Sequence, residues 1–234
     1  MEREKWIDMG KGIAILSVIF GHLSSLDSKN SIYLLVYAFH MPIFWIISGM
    51  LLSGKDYNNV SMLETIKKKA KSIMYPYVIF SLIIVAYNYI GLNLNLVSKS
   101  QFKLVVKNSV YFRGMNCLWF LPVLFVAEIV FIYLIKHRQN IVLWGISFAV
   151  IATLIAVFLS KTDLFKENPM KMYKKYCLIL PKVCFALSFI SLGYTIKEYF
   201  KIIKKYWLLF ALVGVSVSYY IIKVYHKKTD INYC

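Results

Sequence analysis

Long apolar runs alternate with short polar connectors along most of the chain. The runs fall at about Met9–Leu26, Ile32–Leu52, Met74–Leu92, Leu118–Ile135, Ile141–Leu159, Cys177–Ile196 and Tyr206–Ile222. About 20 apolar residues carry a helix across a hydrocarbon core, with every backbone group bonded inside the segment. The pattern therefore predicts an all-α, polytopic transmembrane helical bundle of about seven spans. The alternation of a β-barrel strand is not visible. The longer connectors are Ser53–Ile73, Asn93–Cys117 and Ser160–Tyr176. No repeat, low-complexity tract or soluble module stands out, so residues 1–234 read as one integral membrane domain.

Composition agrees: 59% of the residues are hydrophobic and the mean hydropathy is +0.62. The net charge of +17 raises nucleic acid as a partner. Yet the basic residues collect between apolar runs and form no single stripe, as topology signals and anionic lipid headgroups require. Membrane lipids, and no nucleic acid, are the expected partners. The two sides of the membrane would carry nearly equal numbers of Lys and Arg. The first connectors break the tie: Lys29 alone lies between spans one and two, whereas Lys55, Lys67, Lys68, Lys69 and Lys71 lie between spans two and three. That contrast places the N-terminus in the cytoplasm, in a cell membrane, and seven spans then put the C-terminus outside. The opening of the chain lacks a convincing small-residue cleavage site, which favours an uncleaved first span over a signal peptide. Cys117, Cys177, Cys184 and Cys234 show no metal or redox spacing and read as packing residues.

Ionisable residues inside the apolar runs carry the candidate chemistry. Lys11 and His22 are eleven positions apart on the first span, which is about 20° past three full turns and about 16 Å of rise. Both positions share one helix face. Ionisable groups at such depth are costly and commonly mark a substrate or proton path. His40 enters the second span from the same side as His22 leaves the first, at a depth expected to agree within a few ångströms. An imidazole there can accept a proton from a hydroxyl, hold an acyl group, position a second base, or simply tie two helices together. Asp8 lies three residues before Lys11, within ion-pair reach on a helix. The pair would orient the lysine at the cytoplasmic mouth, or serve as a topology charge with its counter-ion. Gly10, Gly12 and Gly21 allow another backbone or a ligand to approach. Glu128 and Lys182, each inside an apolar run, are expected to form a structural ion pair.

Four motifs, in order, resemble one family. Asp8-Met-Gly-Lys-Gly-Ile-Ala-Ile-Leu-Ser-Val-Ile-Phe-Gly-His22 resembles the opening of the membrane-bound acyltransferase family 3, and more narrowly its fucose 4-O-acetyltransferase-like branch. Phe39-His-Met-Pro-Ile-Phe-Trp-Ile-Ile-Ser-Gly49 is similar to the family's second-span pattern. Lys67-Lys-Lys-Ala-Lys71 leading to Tyr75-Pro-Tyr77 resembles its basic loop, and Leu118-Trp-Phe-Leu-Pro-Val-Leu-Phe125 its later Trp-Phe-Leu-Pro segment.

The resemblance implies O-acylation across a membrane, with cytoplasmic acyl-CoA (acetyl-CoA) as donor substrate and a carbohydrate hydroxyl as acceptor. No permanently bound cofactor and no metal are implied. His22 would be general base or transient acyl carrier, Lys11 and Asp8 would serve the donor, and His40 would orient His22 or the acceptor. Lys11 stands where the family's commoner motif has arginine, and a lysine cannot grip a phosphate bidentately. Lys67, Lys68, Lys69 and Lys71 would meet the donor's phosphates, or act only as a positive-inside loop. Trp119 would stack on the donor or a sugar, or anchor the interface. The family usually has about ten spans, so seven suggest a chain shortened at its C-terminus. A proton-coupled transporter or flippase, and an inactive fragment, are the alternatives.

Overall fold

The computed structural model describes residues 5–23, 31–114, 116–137, 139–161 and 179–199. The expected seventh span, Tyr206–Ile222, lies outside the described residues, as do Cys177 and Cys234. Among the described residues every regular element is helical. The order is α1 (Lys5–Leu23), α2 (Ser31–Ser53), α3 (Met62–Lys69), α4 (Tyr75–Asn93), α5 (Lys99–Val110), α6 (Phe120–Lys136), α7 (Ile141–Lys161) and α8 (Ile179–Glu198). Four described stretches are long and apolar enough to cross a membrane: Met62–Asn93, Cys117–Lys136, Ile141–Phe158 and Ile179–Glu198. The chain is an all-α, multi-pass membrane protein.

Contacts cluster the helices into two groups, one of α1, α2, α7 and α8, the other of α3 to α6. In the first group, α8 packs on both α2 and α7, and α1 packs on α2. The contacts rest on small residues. A Cβ on Gly49 would overlap the Ile190 carbonyl, and one on Gly193 would overlap the Ile46 carbonyl. Where lipid solvates apolar side chains as well as protein does, such close backbone approach supplies the association. Trp45, wholly buried, stacks on Phe189 with ring centroids 5.9 Å apart. Ser191 Oγ donates to the Ile141 carbonyl at 2.7 Å and ties α8 to α7. Met9, Ile13, Leu16 and Phe20 on α1 are exposed, as lipid-facing positions are.

The second group departs from the expected loops. The third apolar run was expected to begin at Met74, but the helix starts at Met62 and continues to Asn93. Ser61 caps its start, its Oγ accepting from the Leu63 amide at 3.2 Å. A π turn at Ala70–Met74 then joins α3 to α4 without a break. The Asn93–Cys117 connector also holds a helix that apolar periodicity did not flag. This is α5, whose N-terminus carries a reciprocal Ser98–Gln101 capping box. It turns back along α4: Tyr89 meets Phe102 at 6.0 Å, and Tyr77 Oη donates to the Ser109 carbonyl at 2.8 Å. Asn95, at φ 57°, makes the turn between the two helices, in a backbone region that asparagine tolerates.

Candidate functional site

In α1, Ile7 and Ala14 are buried, and Lys11 and Val18 are half-buried between and beyond them. These positions follow the 3.6-residue repeat as one stripe toward the rest of the helix group. Lys11 therefore stands on the packed side of α1, and Asp8 borders it. Lys11 Nζ donates to Asp8 Oδ1 at 3.3 Å, with both side chains partly accessible. The expected i, i+3 pair is formed. Of His22 the structure describes the backbone, in the last turn of α1. The helix is uninterrupted from Lys11 to that position, so the rise of about 16 Å holds and position 22 continues the stripe.

His40 is buried, at 3% exposure, about two and a half turns into α2, on the wall that also carries Met41, Trp45 and Ser48. Its Nδ1 lies 3.3 Å from the Val36 carbonyl. A carbonyl only accepts, so Nδ1 is the donor in this contact. Pro42, inside the same helix, withdraws one amide donor from the adjoining turn. Gly10 lies against the Ile47 side chain, within the contact between α1 and α2. At the near end, Lys197 Nζ lies 5.2 Å from the Trp6 ring centroid. The start of α1 and the end of α8 therefore share one side, as alternating spans require.

The basic segment and Trp119 belong to the other helix group. Lys67, Lys68 and Lys71 are exposed. On a helical projection they occupy an arc of about 100°, whose Lys68 edge borders the side that buries Thr65. Lys69 behaves differently from its neighbours. Its Nζ is 2.6 Å from Glu128 Oε2, and the two side chains are only 16% and 8% accessible. Glu128 was expected to pair with Lys182, which lies in the first helix group; within its own group its partner is Lys69. Tyr57, buried in the loop before α3, completes this cluster. Burial and, secondarily, the Glu128 carboxylate push its phenol up to about 12. Only the Glu in the apolar run signalled this cluster from sequence; the inward turn of one lysine among four did not. Trp119 is buried at the head of α6, edge-on to Phe120 at 6.4 Å. Of the cysteines, Cys117 and Cys184 are free thiols, the first exposed and the second buried.

A family model described as an acyltransferase domain matches residues 4–231, nearly the whole chain. No curated protein and no solved structure matches it. The match runs through both helix groups, from the Asp8–Lys11 pair to the end of α8, and on that extent the chain belongs to the acyltransferase 3 family.

Proposed function

We propose that this protein is a membrane O-acyltransferase that moves an acetyl or other acyl group from cytoplasmic acyl-CoA to a hydroxyl of a cell-surface or exported carbohydrate. Besides the family, one observation supports this reading: α1 is a single unbroken helix carrying an ion-paired lysine at one end of its packed stripe and a histidine position at the other. His22 takes the proton of the acceptor hydroxyl as its oxygen attacks the thioester carbonyl. The C–S bond breaks, the ester forms, and the CoA thiolate leaves to be protonated. A transient acyl-histidine would split the same transfer into two steps. Lys11, at the other end of the stripe from position 22, attracts the donor's phosphates, and Asp8 holds the ammonium in place. His40, its Nδ1 held by the Val36 carbonyl, orients the acceptor or His22. Lys67, Lys68 and Lys71 meet the donor's phosphates, and Trp119 stacks on the donor or a sugar, or anchors the interface.

The test is acyl transfer in membranes that contain the protein. With radiolabelled acetyl-CoA, the acetyl group is expected on extracted surface glycan, with free CoA thiol released in equal amount. Unchanged thioester, or solute flux without thioester consumption, would overturn the assignment.

A further inference from the structure

Thr65 and Ile73 are buried and Lys69 lies half-buried between them, so the inward stripe of this segment recurs every four residues. A straight α-helix overshoots a four-residue repeat by about 40° per step, which would swing Ile73 away from the side that holds Thr65. The π turn at Ala70–Met74 follows directly after Lys69. A wider turn rotates the chain less per residue, so it absorbs part of that drift and keeps Ile73 inward. Such a turn needs an anchor, and Glu128 supplies one. It sits on α6 among Ala127, Phe131 and Ile132, all buried, and draws the Lys69 ammonium in to 2.6 Å. Tyr57 lines the same nook, its hydroxyl buried without a hydrogen-bond partner among the described residues. Lys136 Nζ donates to the Val60 carbonyl and ties the end of α6 to the start of this segment.

We propose that Glu128 is a positioning residue. By holding Lys69 inward it fixes the π turn, and so presents Lys67, Lys68 and Lys71 together as one anion-binding face. The assignment of that face to the donor rests on the acyltransferase reading above; the clamp itself does not. With Lys69 released, the turn that sets the spacing of Lys67, Lys68 and Lys71 would lose its anchor, and a bound phosphate would lose part of that arrangement.

The experiment uses the full chain in lipid nanodiscs. Steady-state kinetics with acetyl-CoA, equilibrium binding of adenosine 3′,5′-bisphosphate, and amine-reactive footprinting are compared for wild type, Glu128→Gln and the charge swap Lys69→Glu with Glu128→Lys. In Glu128→Gln, KM and the bisphosphate Kd are expected to rise about tenfold, with kcat within about twofold. The swap should return both constants to within about threefold of wild type, and the rise in KM at nearly constant kcat is what a general loss of folded protein would not show. Lys69 should be modified at least about fivefold more slowly than Lys68 in wild type and at a similar rate in Glu128→Gln. A fall in kcat with bisphosphate affinity unchanged, or equal reactivity of Lys69 and Lys68 in wild type, overturns the clamp. If wild type consumes no acetyl-CoA, the acyltransferase reading fails, and the clamp is then decided by footprinting and bisphosphate binding alone.

Discussion

Gly193 on α8 and the carbonyl of Ile46 on α2 touch so closely that no side chain fits between them. Gly49 meets Ile190 in the same way from the opposite helix, so the contact is reciprocal. Adding a methyl group at either glycine pushes two backbones apart, and overpacking of this kind costs about 1–3 kcal/mol. Gly12 has nothing within 4 Å of where a Cβ would be, and alanine there favours the helix by about 0.5–1 kcal/mol. Gly193→Ala and Gly49→Ala are therefore expected to lower the thermal midpoint in detergent, and Gly12→Ala to leave it unchanged or slightly higher. Equal midpoints for all three variants would remove the α2–α8 contact from the account.

The Lys11–Asp8 pair predicts a separation of activity from stability. Both groups are partly accessible, and pairs of that kind contribute about 0–1 kcal/mol to folding. Lys11→Ala should leave the melting midpoint nearly unchanged yet reduce kcat/KM for acetyl-CoA about 100-fold, because the charge that attracts the donor's phosphates is lost. Asp8→Asn keeps that charge and frees its orientation, for a loss of about tenfold or less. Should Asp8→Asn prove as damaging as Lys11→Ala, the carboxylate itself takes part in the transfer.

The two histidines should fail differently. As the proton acceptor, His22 is expected to be indispensable, and His22→Ala should cut turnover by about 10³-fold or more while membrane insertion persists. His40 has Nδ1 committed to the Val36 carbonyl, which fixes its ring in the wall of α2. His40→Gln should therefore retain measurable turnover, with a rise in acceptor KM larger than the fall in kcat. The reverse ranking in a paired assay would exchange the two roles.

Much of this was legible in the residues because hydrocarbon leaves few choices. Runs such as Ile141–Leu159 had to be helices, and α7 forms over Ile141–Lys161. The Asp8–Lys11 pair was legible because i, i+3 spacing on a helix fixes proximity. What escaped were features that depend on tertiary partners. The helix from Met62 to Met74 is polar on its outer side and has no span-like pattern, so its fit against α6 decided it. α5 is short and amphipathic, and Tyr77 and Tyr89 on α4 hold it. Lys69 is chemically the same as Lys67, Lys68 and Lys71. Only the turn geometry that follows it, and Glu128 opposite, tell it apart.

Tyr57 offers a spectroscopic reading of that same corner. Its phenol is held neutral up to about 12, chiefly by burial and further by Glu128. The unfolded phenol ionises near 10. Between those values the folded chain binds the proton more tightly than the unfolded one, so the contribution to stability is complete below about pH 10 and disappears as pH rises toward 12. The chain has 18 tyrosines, so the titration is best read as a ring-carbon NMR difference between wild type and Tyr57→Phe. One resonance should titrate near 12 and vanish in the variant. In Glu128→Gln that resonance should move down toward 10 without reaching it, since burial, the larger cause, remains. A Tyr57 resonance titrating near 10 in the wild-type chain would mean that the phenol is open to water and the nook beside Glu128 is not sealed.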